Sequence, residues 1–491
     1  MEYVINGRNP ENLFRFFEQL SAIPRGSGNE KAAADFVCSF AKVRGLEHMR
    51  DRYDNVFVKK PPSKEYEDRP AILLQGHLDM VCVKNKGTVH DFEKDPIELK
   101  VTDGWLGANG TTLGADDGAA VAVMLAVLDD KTLKHPPIEC LFTVQEETGL
   151  VGAMNFDTGY ITAETMINLD SEGEGQAVIG CVGSADIEVT FDPDYSDLYG
   201  KCYTVTLGGF AGGHSGADIE KERKNALILL ARILSTAYDK YPFNIVSIDS
   251  GTVSNAIPCE AEAVIAFSDG HAETELIEKT FTAVKDEFTA SDLRAYLRID
   301  KTKVSAVCGA KMLTFKATSN LLSFLILCPC GVVRRNKQEL TFVEASANPA
   351  SIHMFDGGKI KIAFMNRSSL EITQDYMIDQ IKRLARLTGG VSELIGRYPG
   401  WEPVYGTPLQ KKYLSVYKEL FPDSKDPTAL PIHAGLECGI IAGNLISSRG
   451  RGLDAIAIGP DIRDIHTPEE RMNLDSFERL WKLVTKLLES F

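Results

Sequence analysis

A chain of 491 residues exceeds one ordinary domain and predicts two or three. Hydrophobic residues at 44% and charged residues at 25% are those of a globular protein with a large core. The formal net charge of −16 argues against nucleic acid as a partner and for a soluble acidic protein, some of whose carboxylates can neutralise bound cations. The amino terminus lacks the basic start and apolar run of a secretory signal. The longest apolar stretch, 321–333, is broken by Pro329 and too short to span a bilayer, so a cytoplasmic protein without a membrane partner is expected. The ten cysteines are spread thinly, several inside apolar runs (Cys140, Cys181, Cys328), and read as buried free thiols.

In chain order, residues 11–20 have helical apolar spacing and end at Ile23-Pro24, and a second helix is expected over 30–43. A strand over 56–59 and a charged connection over 61–69 lead to Ala71–Leu74, four apolar residues without alternation that suit a strand covered on both faces. It runs into Gly76-His77-Leu78-Asp79, where Gly76 is expected to let the chain turn. Residues 87–112 read as a long loop or a small hairpin. From Ala119 to Leu128 every residue is apolar, as in a buried helix. The strand 138–144 ends in Glu146-Glu147, and the strand 166–169 in Asp170. Near residue 185 the pattern changes to alternation over 185–191 and 201–207, as in half-exposed antiparallel strands. A Gly-rich stretch holding His214 then leads to a helix over 225–237. The last hundred residues return to an α/β pattern: a helix over 408–420, a turn over 432–439, a strand over 455–458, a polar segment with His466, and a helix over 474–488. The reading is an α/β catalytic domain with a mixed sheet, formed by 1–184 and 389–491, with an α+β domain inserted over 185–388.

Three apolar strands thus run into acidic or histidine residues, and in open α/β sheets such carboxyl ends gather ligands. His77, Asp79, Asp116, Glu146, Glu147, Asp170 and His466 form a set suited to zinc, or to manganese or cobalt. In extended chain Glu146 and Glu147 point opposite ways, leaving one to bind metal and the other free as a general base. Taken singly, each residue has a plain alternative. Asp116 and Asp117 suit a helix cap, Glu146-Glu147 a solvated strand end, Asp170 a turn, and His466 an exposed loop.

Together, Gly76-His77-Leu78-Asp79, the run Leu113 to Gly118, Glu146-Glu147-Thr148-Gly149, Asp170, Gly212 to Gly216 and His466 resemble the co-catalytic zinc exopeptidases related to aminoacylase and carboxypeptidase G. Residues 432–439 and 465–470 are most similar to the Xaa-His dipeptidase group of that family, with Asp117 standing where relatives often have Asn. The resemblance implies two zinc ions per subunit, with cobalt or manganese as alternatives. His77, Asp116 and Asp170 would hold one and Asp116, Glu147 and His466 the other. It implies that Asp79 orients His77, that Glu146 is the general base, and that His214 is a lid histidine steadying the oxyanion. Asn255 and Arg367 match positions that hold the substrate carbonyl and terminal carboxylate. Glu437 lies near the peptide's amino end or supports the fold. The substrate implied is a small peptide such as carnosine, and the assembly a homodimer through the inserted domain. The same fold also admits an N-acyl amino acid deacylase or a tripeptidase. From other classes, a serine hydrolase is suggested superficially by Gly213-His214-Ser215-Gly216, but residue 217 is Ala and the nucleophile-elbow spacing is absent. A metal-free binding protein would not need the complete donor set.

Overall fold

Apolar runs without alternation become buried strands in the computed structural model, which describes residues 3–267, 274–302, 311–355, 357–449 and 452–491. The chain divides into two compact units, Met1–Cys181 with Trp401–Ile432 and Leu436–Phe491, and Val182–Gly400 with His433–Gly435.

The first unit opens with helices α1 (Glu11–Ser21) and α2 (Lys31–Val43), then strands β1 (Glu47–Arg50), β2 (Val56–Lys60) and β3 (Ile72–His77). The segment 87–112 contains the hairpin of β4 (Leu99–Thr102) and β5 (Trp105–Ala108). Helix α3 (Ala115–Asp129) follows, then β6 (Ile138–Thr143), β7 (Thr165–Asn168) and β8 (Gln176–Cys181). The main sheet of eight strands runs β1-β2-β6-β3-β7, then Asp454–Ala457, β8 and Thr428–Ile432. β3 lies parallel to both β6 and β7, whereas β1 and β2 are antiparallel additions at one edge, which makes the sheet mixed. Every residue of β3 and β6 is buried. α3 is apolar all round from Ala119 to Leu128 and is correspondingly buried all round. It packs with Leu13, Phe17 and Leu20 of α1 and with Phe477 and Val484 of the closing helix Leu474–Glu489 in one core. Asn473 caps that closing helix by accepting from the Ser476 amide.

The expected strand over 71–74 is longer than its apolar run, because the ladder continues through Gln75, Gly76 and His77. Gly76 is therefore inside the strand and not at a turn. A Cβ there would lie 2.5 Å from both Ala120 Cβ and Asp117 Oδ2, so glycine is required by the close approach of α3. The expected turn over 432–439 is also modified, since its second half begins the helix Glu437–Arg449.

The second unit is built on a nine-stranded sheet. Its strand β9 (Gly183–Phe191) buries alternate residues and pairs antiparallel with Ile360–Ser368 and Gly390–Tyr398. Helices Ala226–Tyr238 and Phe315–Leu327 close its core with Leu230, Leu234, Phe324 and Phe364. The insert was expected over 185–388, but the strand Gly390–Tyr398 pairs with β9 and carries the second unit on to Gly400. Nine cysteines among the described residues are free, and Cys140, Cys181, Cys202, Cys328 and Cys438 are buried.

Candidate metal centre

Because β3 runs parallel to β6 and β7, with His77 opposite Thr143 and Gln75 opposite Asn168, the residues beyond their carboxyl ends emerge along one edge. His77 Nε2 lies 3.1 Å from Asp116 Oδ1 and 3.9 Å from Asp170 Oδ1. His466 Nε2 lies 3.2 Å from Asp116 Oδ2 and 3.1 Å from Glu147 Oε1. In each trio, His77-Asp116-Asp170 and Asp116-Glu147-His466, the donor atoms all lie within 4.8 Å of one another. Asp116 turns one oxygen toward each histidine.

His466 comes from far along the chain. It sits in the loop between the short strands Ile462–Arg463 and Arg471–Asn473, which join β5 and β4 in a second sheet. Its backbone adopts φ +61°, a left-handed conformation uncommon for a side-chain-bearing residue. Asp116 and Asp117 have non-helical backbone at the start of α3. Asp117 accepts from the His77 amide at 3.0 Å and the Ala120 amide at 3.4 Å, tying β3 to α3 and capping the regular helix. The capping alternative thus describes Asp117, while Asp116 faces the histidines.

Asp79, fully buried, has its Oδ1 3.3 Å from His77 Nδ1. It also accepts from the amides of Glu146 and Glu147, at 3.1 and 3.2 Å, and from Ser27 Oγ at 2.8 Å. One carboxylate thereby positions both an imidazole and the two-glutamate segment. That segment is a turn, entered at Gln145 with φ +51°, and not extended chain. Glu146 and Glu147 consequently do not point to opposite sides, and each offers an oxygen to the cluster around His77.

The electrostatics test whether cations suit these groups. Burial opposes charge on His77, yet hydrogen bonds to Asp116 and Asp79 outweigh it and hold its pKa well above the ordinary imidazole range. Hydrogen bonds to Asp116 and Glu147 push His466 up to about 11. Burial also raises Glu146 well above the usual carboxylate range, with Glu147 and Glu437 adding to it, and raises Asp170 in the same way, with Asp117 adding. Such a cluster of imidazoles and crowded carboxylates holds more negative charge than it can neutralise from within. Tetrahedral ligation at about 2.0–2.1 Å requires donor atoms about 3.3 Å apart, so the observed separations fit two divalent cations sharing Asp116.

The remaining predicted residues fall into two groups. In the first unit Glu437 is fully buried and not at a surface. Its Oε2 accepts from Thr143 Oγ1 at 2.6 Å and from Gln75 Nε2, while Oε1 has no hydrogen-bond partner. Burial pushes its pKa up to about 7. In the second unit His214 is exposed, and its Nδ1 accepts from the amides of Gly216 and Ala217 at 3.2 and 3.1 Å. The proton of the neutral ring is therefore on Nε2. Asn255 is exposed next to it, its backbone carbonyl accepting from the Ser215 amide at 2.7 Å. Arg367 is buried, with Nη2 against Met365 Sδ at 3.0 Å and Nε without a partner. Ser215, the serine of the elbow-like stretch, is also buried, with Oγ 3.6 Å from the same sulfur.

Sequence reasoning missed the residues that hold the donors in place. Asn168 Nδ2 donates to Gln75 Oε1 at 2.6 Å and its Oδ1 accepts from the Asp170 amide at 3.1 Å, linking Glu437 to Asp170 through the sheet. Ser27 supports Asp79, and Arg25 and Glu470 hold the backbone that leads into Asp116. Ser27 and Arg25 belong to a Gly-rich polar loop at 25–28, whose charged residue is the only signal they leave.

A mixed sheet whose parallel strands bring His77, Glu147 and Asp170 to one edge, where Asp116 and His466 complete two linked trios, is the scaffold of a metallopeptidase. The sequence pattern of Peptidase family M20/M25/M40 matches residues 73–490, and the chain belongs to this family. It is 34% identical over 485 residues to the cytosol non-specific dipeptidase of Escherichia coli (strain K12), covering 98% of each chain. The solved aminoacylhistidine dipeptidase of Vibrio alginolyticus has a TM-score of 0.88 and 32% identity, covering 98% of this chain and 97% of that one. Aminopeptidase PepT of Bacillus cereus shares the fold, with a TM-score of 0.55 at 17% identity over 98% of each chain. Among the described residues, no helix is long and apolar enough to cross a membrane.

Proposed function

We propose that the chain is a metal-dependent dipeptidase that hydrolyses Xaa-His dipeptides such as carnosine and, more broadly, related dipeptides. Asp116 carries this reading, because its two oxygens face two different histidines, each completed by a further carboxylate. His77, Asp116 and Asp170 would hold one cation, and Asp116, Glu147 and His466 the other. We take both to be zinc, with cobalt or manganese as alternatives. Bound there, divalent cations supply the Lewis acidity that makes water nucleophilic near neutral pH and polarises a carbonyl.

The chain's own groups do the rest. Glu146, with an oxygen beside His77 and Glu147, takes the proton of the attacking water and returns it to the leaving amine. Asp79 keeps His77 in one tautomer, with Nε2 free to ligate, and anchors the turn that carries Glu146. His214, with its proton on Nε2, donates to the oxygen on which charge develops. Asn255 holds the substrate carbonyl. The Arg367 guanidinium, buried with an unpartnered Nε, suits a terminal carboxylate. The unpartnered Oε1 of Glu437 suits the ammonium at the other end of a dipeptide. The dipeptidase names of the Escherichia coli and Vibrio alginolyticus relatives support the substrate class.

A side-by-side assay of carnosine, another Xaa-His dipeptide, Leu-Leu, a tripeptide and an N-acetyl amino acid tests the assignment. The dipeptides should be cleaved, turnover should vanish on chelation, and added zinc, cobalt or manganese should restore it. Preferred cleavage of the tripeptide or the acetylated amino acid would move the protein to a neighbouring activity, and indifference to chelation would end the metal reading.

We also infer a cytoplasmic protein, in keeping with the cytosolic relative, and a homodimer formed through the second unit. The edge strand Gly390–Tyr398 leaves Val391, Leu394 and Ile395 exposed, a surface that a second copy would cover. Sedimentation equilibrium should give twice the chain mass, and a monomer at micromolar concentration would reject the dimer.

A further inference from the structure

We infer that Arg25 and Glu470 are a pair of positioning residues for Asp116, which together hold the backbone leading into it, Glu470 by its amides and Arg25 by the Gly114 carbonyl, and thereby set the cation affinity of both trios; this rests on the reading of Asp116 as a shared ligand. Glu470 is only 3% exposed and uses both oxygens on four consecutive amides. Oε2 accepts from Leu113 at 2.8 Å and Gly114 at 3.0 Å, and Oε1 from Ala115 at 2.7 Å and Asp116 at 3.3 Å. Four successive N–H groups turned toward one carboxylate form a concave anion cradle, which this segment fills with a side chain of its own protein.

Arg25, 1% exposed, takes carbonyls of the same region. Nη1 donates to Leu78 O at 2.9 Å and Asp79 O at 2.8 Å, and Nη2 donates to Gly114 O. Gly114 is thus held at its N–H by Glu470 and at its C=O by Arg25. Its φ of +72° and a Cβ position 2.6 Å from Arg25 Nη2 leave room for glycine alone. Through Arg25 the segment before Asp116 is also fastened to the exit of β3, next to His77 and Asp79. Through Glu470 it is fastened to the loop that carries His466 four residues earlier. The guanidinium and the carboxylate therefore link the three stretches that supply His77, Asp116 and His466, and neither of them touches the donor atoms.

If Glu470 is replaced by Gln, one of its two acceptor oxygens becomes a donor, two of the four amides lose their acceptor, and the segment must shift to satisfy them. Because the cost falls on the backbone of Asp116, it should appear as weakened cation binding, not merely as lost stability. The test uses full-length Glu470→Gln, Glu470→Asp and Arg25→Lys proteins stripped with a chelator. Each is titrated with Co2+ alone, following the visible absorption of the bound ion, and each stripped protein is also unfolded in urea. The expected result is Co2+ affinity about 10- to 100-fold weaker than native, the range for residues that orient ligands, with an altered absorption band and a cooperative urea transition retained. Glu470→Asp, which keeps both acceptors, should bind more tightly than Glu470→Gln.

Co2+ affinity within about two-fold of native in all three would overturn the inference, leaving the pair as ordinary structural contacts. So would failure of all three stripped proteins to fold. If the native protein itself bound no Co2+, the failure would lie instead in the metal reading of Asp116.

Discussion

Replacing Glu146 with Gln should lower kcat on a dipeptide by about 10²- to 10⁴-fold, the usual contribution of a positioned general base, while leaving the bound metal unchanged. The substitution keeps the volume of the side chain and removes only its ability to take a proton. The contacts that hold the turn run through the Glu146 and Glu147 amides to Asp79, and these are untouched. Neither trio that shares Asp116 includes Glu146. Metal analysis of the purified variant beside steady-state kinetics separates the outcomes. Near-native turnover with full metal content would remove Glu146 from the chemistry, whereas loss of metal together with activity would make it a ligand.

Asp116→Asn should have a comparably large effect by a different route. His77 Nε2 and His466 Nε2 each lie close to an Asp116 oxygen, at 3.1 and 3.2 Å, so removing the charge weakens both trios in one step. Affinity for both cations should fall by more than about 100-fold, beyond what changes outside the ligand shell produce. His466→Ala, by contrast, removes a donor from only one trio and should leave the other occupied. Equilibrium dialysis of both variants against zinc reads the difference as stoichiometry. An Asp116→Asn protein that still held a full complement of zinc would show that Asp116 is not shared.

Much of the fold and of the proposed donor set is legible because chemistry and burial mark the same places. Apolar runs such as those of β3, β6 and β7 can only be interior strands, and a histidine or carboxylate just beyond one of them stands out against its neighbours. Asp116 was harder to read, since Asp117 beside it also suits a helix cap and in fact serves as one. The relation of Glu146 to Glu147 differs from the one extended backbone predicts, because Gln145 enters a turn that no residue type in the segment announces. The helix Glu437–Arg449 is hidden by Gly435 and Gly439, which mimic a turn over 432–439, although it packs within the first unit. Arg25 and Glu470 left little trace for a more general reason. Their partners are backbone carbonyls and amides, which every residue carries, so no residue type elsewhere in the chain announces the contact.

Cys181 and Trp401 exchange backbone hydrogen bonds, each donating its amide to the other's carbonyl at 2.9 Å. The longer excursion from the first unit, Val182–Gly400, therefore leaves and re-enters it across one β-bridge, and His433–Gly435 is a second, three-residue one. Both ends of this longer insertion are pinned at one doorway, and the core of the host holds no residue of what lies between them. An excursion hinged in this way can be lengthened, trimmed or exchanged over evolutionary time without unthreading a strand of the host sheet, as tolerated domain insertions generally require. All the groups assigned to the cations lie on the host side of that doorway. The ligand shell can therefore stay constant while the inserted portion diversifies.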